Sequence, residues 1–170
     1  MIIVREFTPN VIEPSFGIGR ILYCLMEHVY WTRPEGEARG VLSFPPVVAP
    51  TKCLLVPLST NEAFIPVLNQ VSSLLRRNGV SSKIDDSGAS IGRRYARNDE
   101  LGTPFGITVD FQSVQDNTIT LRERDSTKQI REKIEVIVDL LKDMCEGKTT
   151  WQEVSVKYPA FVSQEVKDDE

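Results

Sequence analysis

Cys53-Leu54-Leu55-Val56-Pro57-Leu58 is an unbroken apolar run, and a polar group, Ser59-Thr60-Asn61-Glu62, follows it at once. A short apolar run bounded in this way suits a strand buried on both faces. Ser59 with Glu62 has the spacing of a capping box, which predicts a helix directly after the strand. Phe64, Val67, Leu68, Val71, Leu74 and Leu75 recur every three or four residues and give that helix one apolar stripe. Pro66 falls in its first turns, where a missing N–H costs least, and Gly79 stops it. A strand over 80–84 follows, then the turn Asp85-Asp86-Ser87-Gly88 and a basic helix over 91–101, stopped by Gly102. Strands are predicted over 105–111 and 118–122, joined by a turn at Gln115-Asp116-Asn117. Ser126 with Gln129 reads as another capping box, opening a helix with the stripe Ile130, Ile134, Ile137, Val138, Leu141 and Met144 and a stop at Gly147. Thr150 with Glu153 opens a last short helix before Pro159. This order predicts an α/β fold: a three-layer α/β/α domain around a mixed, mostly parallel sheet, with a closing hairpin that adds an antiparallel strand.

Upstream, Phe44-Pro45-Pro46-Val47-Val48-Ala49-Pro50 holds three prolines, which break helix and central strand alike. It reads as a stiff linker, with a charged loop over 33–40 before it. Ile18, Ile21, Leu22, Leu25, Met26 and Val29 form one helical stripe that fades in Tyr30-Trp31-Thr32, with Ser15 as its N-cap. Residues 1–12 are β-prone and read as extended.

The whole chain of 170 residues has room for one domain with an appendage. Its net charge of −4 provides no global basic field, so contact with nucleic acid requires a local patch. Cys24, Cys53 and Cys145 are odd in number and far apart, which argues against a disulfide framework and against a metal-ligand spacing. His28 is the single histidine and reads as a structural one. No apolar run reaches membrane-spanning length, so no membrane partner is expected, and the lack of a metal-ligand spacing leaves no metal expected either.

Two constellations could carry chemistry. Glu13-Pro14-Ser15-Phe16-Gly17-Ile18-Gly19-Arg20 places a carboxylate, a hydroxyl, two glycines and an arginine at a helix start, where free N–H groups favour an anion. Tight packing and an Arg20–Glu13 pair would explain the same residues. The second is the basic helix with Arg93, Arg94, Tyr95 and Arg97. Arginine suits phosphate and base edges, and an aromatic suits an unpaired base; a solvated helix paired through Asp99 and Glu100 is the plainer reading. Arg122, Glu123, Arg124 and Asp125 alternate in sign and read as a salt-bridged surface.

The Glu13–Arg20 octapeptide resembles motif 3 of class II aminoacyl-tRNA synthetases, in the form found in eukaryotic-type glycyl-tRNA synthetases. The proline segment, Cys53-Leu54-Leu55-Val56-Pro57-Leu58, the run from Lys83 to Phe111 and the run from Thr120 to Arg131 resemble the C-terminal anticodon-binding domain of the same family, in order. The resemblance implies glycine binding by Glu13, Pro14 and Ser15, and ATP binding by Arg20, Gly17 and Gly19. It implies tRNA anticodon binding to which Arg93, Arg94, Tyr95 and Arg97 contribute. Glycine, ATP with Mg2+ and tRNA(Gly) would be the parent enzyme's ligands, a homodimer its assembly, and the cytoplasm its location, a mitochondrial form being compatible. The expected organisation is a class II remnant of strand and helix over 1–44, a linker over 45–51, the anticodon-binding domain over 52–162 and a disordered acidic tail over 163–170. Motifs 1 and 2 are not in this sequence, so the chain is expected to be a C-terminal fragment, inactive as a glycine–tRNA ligase alone, with its first apolar stripe packed on the domain or on another copy. A non-catalytic accessory or interaction module is the alternative, although an intact motif 3 argues against it.

Overall fold

The structure, a computed structural model, describes residues 3–34 and 39–161. Helix α1 (Ile18–Val29) comes first, then strands β1 (Tyr30–Thr32) and β2 (Gly40–Leu42). The main body follows as β3 (Cys53–Pro57), α2 (Ile65–Arg77), β4 (Ser82–Ile84), α3 (Ile91–Glu100) and β5 (Phe105–Val109). It is completed by α4 (Phe111–Asp116), β6 (Thr118–Glu123), β7 (Gln129–Lys133), α5 (Ile134–Cys145) and α6 (Trp151–Lys157). The main sheet has the order β4-β3-β5-β6-β7. β3 is parallel to β4 and β5, while β5–β6 and β6–β7 are antiparallel. The sheet is therefore evenly mixed, where mostly parallel was expected.

The difference comes from β7. Ile130 and Ile134 are both buried and four apart, which suits one helix stripe equally well. Ser126, however, does not cap a helix. The Glu123 carboxylate accepts from the Asp125 and Ser126 amides and from Ser126 Oγ, at 2.9, 2.7 and 2.6 Å. These bonds close a turn, the chain reverses, and residues 129–133 pair with β6 before α5 begins. One other cap also differs, and one helix forms that was not expected, α4. Asn61, not Ser59, accepts from the Ala63 amide and opens the 3-10 turn Glu62–Phe64 that leads into α2. Asp110 ends β5 two residues earlier than expected and caps α4 through Ser113. The Thr150–Glu153 box forms as predicted.

Alternation along the strands divides the residues between two faces. Cys53, Leu55, Ile107, Val109, Ile119, Leu121 and Ile130 pack with α2, α5 and α6 into the main core. The opposite face carries α3, β2 and the proline turn, where Leu42, Phe44 and Ala49 form a smaller cluster with Leu25 and Val29 against it. The proline segment is a compact turn, not a strut: the Val48 and Ala49 amides donate to the Pro45 carbonyl at 2.9 and 3.1 Å. Gly102, at φ +79°, ends α3, and a Cβ there would collide with the Phe44 ring.

Tyr30-Trp31-Thr32 do not fade out of α1. They pair with β2 as a hairpin, as their β-propensity favours, and Trp31 Nε1 donates to Ser43 Oγ at 2.7 Å. Residues 3–17 form no helix or strand and are exposed, so the expected N-terminal strand is not formed among the described residues. Gly17, not Ser15, is the N-cap of α1, with no side-chain cap. No residue of α1 is fully buried, and the expected packing of its stripe reduces to Leu25 and Val29. The acidic tail over 163–170 lies outside the described residues.

Candidate nucleic-acid interface

Helix α3 has an unusual seat. Its buried residues are Arg94, Asn98 and Asp99, all polar. Burial of such groups costs free energy unless each finds a partner. Arg94 Nη1 donates to the carbonyls of Pro57 and Asp85 at 2.9 and 3.0 Å, although its Nε has no partner among the described residues. Asn98 donates to the Arg94 carbonyl at 2.9 Å. Asp99 receives Arg33 Nη2 at 2.9 Å and both Arg122 terminal nitrogens at 3.0 and 3.1 Å.

Tyr95 packs its ring against Gly106 of β5, whose missing side chain makes the space. Its hydroxyl is 2.8 Å from Thr108 Oγ1, and the Arg122 guanidinium stands 4.5 Å from the ring centroid on its way to Asp99. Burial, outweighing the Thr108 bond and the Arg122 charge, pushes the Tyr95 hydroxyl up to about 12. Arg94 and Tyr95 are thus committed to internal contacts, which corrects their expected place on an RNA-facing surface. Arg93 is exposed. Arg97 is half exposed, at 53% for its side chain, and bonds Asp85 Oδ2 and Ser87 Oγ at 3.0 and 2.8 Å. Burial works to raise the Asp85 carboxyl, but the Ser87 hydrogen bonds and the Arg97 and Arg94 charges outweigh it and hold the carboxyl below its ordinary value.

A crevice opens at the carboxyl ends of β3 and β4, because the chain leaves β3 for α2 on one face and leaves β4 for α3 on the other. Ser59, Thr60, Asp86, Ser87 and Arg94 line a cleft of about 250 Å3 there. An adjoining cleft of about 330 Å3 adds Asn61, Phe64 and Leu68. Sequence reasoning missed this crevice, and it missed Arg33 and Asp99 as structural partners. The reversal of strand order around β3 is the signal that locates the crevice.

The alternating charges at the end of β6 are paired, as expected, but Glu123 and Arg124 are buried. Arg124 is 3% exposed and bonds Asp125 and the carbonyls of Phe44 and Gly102. Arg131 bonds Asp110 at 2.7 and 2.9 Å. His28 Nδ1 donates to the Cys24 carbonyl at 2.7 Å, a local helix bond.

The Glu13–Arg20 segment is exposed throughout. The structure brings Glu13, Pro14 and Ser15 to no wall, and Arg20 lies in the first turn of α1, its amide bonded to the Gly17 carbonyl at 2.9 Å. An added Cβ at Gly19 would meet nothing within 4 Å, so packing in this structure does not explain that glycine. Among the described residues no group of three or more His, Cys, Asp or Glu could hold a metal, and no helix is long and apolar enough to cross a membrane.

Comparison with known proteins gives a consistent set of matches. The chain is 61% identical over 160 residues to a putative glycine–tRNA ligase of Schizosaccharomyces pombe, covering 94% of this chain and 24% of that protein. It is 56% identical over 161 residues to the mitochondrial glycine–tRNA ligase 1 of Saccharomyces cerevisiae, covering 95% and 23%. It is 48% identical over 139 residues to the glycine–tRNA ligase of Methanocaldococcus jannaschii, covering 82% and 23%. The chain thus spans about a quarter of the length of the curated relatives it matches. A crystal structure of prolyl-tRNA synthetase from Cryptosporidium parvum, complexed with L-proline and AMP, shares the fold with a TM-score of 0.56 at 23% identity, over 62% of this chain and 24% of that one. The family described as "Anticodon binding domain" matches residues 52–144, more than half of the chain, and covers β3 to α5. The chain therefore belongs to the anticodon-binding-domain family.

Proposed function

We propose that this chain is the anticodon-binding part of a glycine–tRNA ligase, an enzyme that activates glycine with ATP and Mg2+ and attaches it to tRNA(Gly). The observation that carries the reading is a family-matched domain that leaves Arg93 and Arg97 toward solvent, with Arg97 bonded to Ser87 at the carboxyl-end crevice. Guanidinium groups in this position suit the phosphates of an anticodon loop. Residues 1–44 then belong to a catalytic domain, 45–51 join it to the anticodon domain over 52–162, and the full enzyme is a cytoplasmic homodimer, with a mitochondrial form compatible. Glu13, Pro14 and Ser15 would face glycine, and Arg20, with Gly17 and Gly19, would face ATP once the rest of that domain supplies the opposite wall. The described residues offer no acidic cluster for Mg2+, so its ligands would come from elsewhere in a longer chain.

The test is fluorescence anisotropy with a tRNA(Gly) transcript across a salt series. Binding is expected to weaken with salt, and the double substitution Arg93→Ala/Arg97→Ala to reduce the log–log salt slope by about 1 to 2. An unchanged affinity and slope would reject the interface. The chain alone is expected to show no glycine-dependent ATP–pyrophosphate exchange, and measurable exchange would overturn the division of labour.

A further inference from the structure

Arg33 leaves the β1–β2 hairpin and reaches the main domain at three points. Its Nη2 bonds Asp99 Oδ2 on α3 at 2.9 Å and the Arg124 carbonyl at 2.6 Å, and its Nη1 bonds the Asp125 carbonyl at 3.2 Å. Its guanidinium also stands 5.2 Å from the Trp31 ring centroid, and Trp31 is itself held by Ser43. Asp99 is shared with Arg122, which covers Tyr95, which in turn bonds Thr108 on β5. A continuous set of short polar contacts therefore joins the hairpin, helix α3 and the sheet. Because the fully buried residues of α3 are all polar, these directional bonds, with those of Arg94 and Asn98 and the packing of the Tyr95 ring on Gly106, set its rotation and depth.

We propose that Arg33 is a positioning residue for the RNA-facing helix: it fixes α3 from the hairpin side through Asp99, and so sets how Arg93 and Arg97 are presented. The segment before the proline turn thereby acts on the RNA surface without touching RNA. Arg33 is suited to this task and lysine is not, since one guanidinium donates from two nitrogens to a carboxylate on α3 and to two carbonyls of the turn after β6. The proposal rests on the RNA-binding reading given above.

The experiment uses the 170-residue chain with Arg33→Ala and Arg33→Lys. Hydrogen exchange without RNA reads the position of α3 directly. Arg33→Ala is expected to speed exchange in α3 by about tenfold while α2 and α5 stay unchanged, and Arg33→Lys to restore only part of the protection. Anisotropy with a tRNA(Gly) transcript is expected to show about fivefold weaker binding with the salt slope unchanged, since no phosphate contact is lost. That loss should vanish in an Arg93→Ala/Arg97→Ala background. Unaltered α3 exchange in Arg33→Ala overturns the proposal, and so does a loss that adds to the double substitution or a slope reduced by about 1, which would make Arg33 a direct contact. If the parent chain binds no tRNA, the RNA reading fails, and the exchange data still decide whether Arg33 places the helix.

Discussion

Replacing Gly106 by alanine puts two physical expectations in opposition. Gly106 is not among the glycines at positive φ, so its backbone conformation suits alanine. Judged on the entropy of the unfolded chain alone, Gly106→Ala should stabilise the protein by about 0.4–1 kcal/mol. The packing argues the other way. A Cβ at 106 would stand 3.2 Å from Tyr95 Cζ and closer still to Cε1. The ring cannot withdraw without loss, because its hydroxyl is bonded to Thr108 and Arg122 covers its outer face. Overpacking of this kind costs about 1–3 kcal/mol, and loss of the hydroxyl bond adds about 0.5–1.5 kcal/mol. With the entropic gain subtracted, the net is a destabilisation of about 0.5–4 kcal/mol. Urea unfolding followed by circular dichroism measures it. Tyr95→Ala removes the obstructing ring, so the double variant should be more stable than the sum of the single losses implies. A Gly106→Ala chain as stable as its parent, or additive behaviour in the cycle, would refute the seat assigned to Tyr95.

Arg94→Met should destabilise the chain by about 1–3 kcal/mol in the same assay, because the buried carbonyls of Pro57 and Asp85 lose their donor; a loss below about 0.5 kcal/mol would return Arg94 to the surface residues. Burial works to raise the Asp110 carboxyl, but its bonds to Arg131 and Ser113 outweigh this and hold it below the ordinary value. The stabilisation is complete above the unfolded value of about 4 and is lost as pH falls through the lower folded value. Asp110→Asn should therefore lower Tm at pH 7 and flatten the decline in Tm between pH 4 and pH 2; an equally steep decline would remove Asp110 from the acid response. Ile21→Ala and Leu22→Ala, on the exposed face of α1, should each change stability by less than about 0.5 kcal/mol. Val71→Ala, fully buried in α2, should cost about 2 kcal/mol, and equal losses at the two helices would mean that α1 is packed.

Where hydrophobic period and special backbone conformations carried the information, the fold was readable. The apolar run of β3 and the stripe of α2 lie where expected, and Gly79, Gly102 and Gly147 each take positive φ at a helix stop. β7 was not readable, because Ile130 and Ile134 satisfy a helical spacing and a strand-to-helix junction equally. The partners of Ser126 decide between them, and those come from tertiary structure. The candidate site was legible only in part for a related reason. The inner face of α3 is polar, so hydrophobic periodicity is silent about which way the helix turns. Spacing alone put Arg93, Arg94 and Arg97 together, whereas the structure turns Arg94 inward. Arg33 and Asp99 are 66 residues apart, and nothing local connects them.

The polar seat of α3 also bears on how the helix can work. An apolar interface tolerates small shifts, because side chains of similar volume repack at modest cost. A seat made of hydrogen bonds does not, since each bond weakens steeply outside a narrow range of distance and angle. Arg94 meets two carbonyls, one at the end of β3 and one in the turn after β4, and Asp99 meets two arginines from different elements. A rotation that kept one set would break the other, so the helix has one register. Arg93 and Arg97, one turn apart on the same helix, are then held in a set orientation to the sheet. On the RNA-binding reading proposed above, arginines held in place bind phosphates at a lower entropic cost than arginines that wander. The cost is dependence on the hairpin, because one of the two arginines on Asp99 comes from outside the family-matched region. A domain cut at residue 52 would keep the sheet and its core but lose Arg33, and helix α3 would be the first element to loosen.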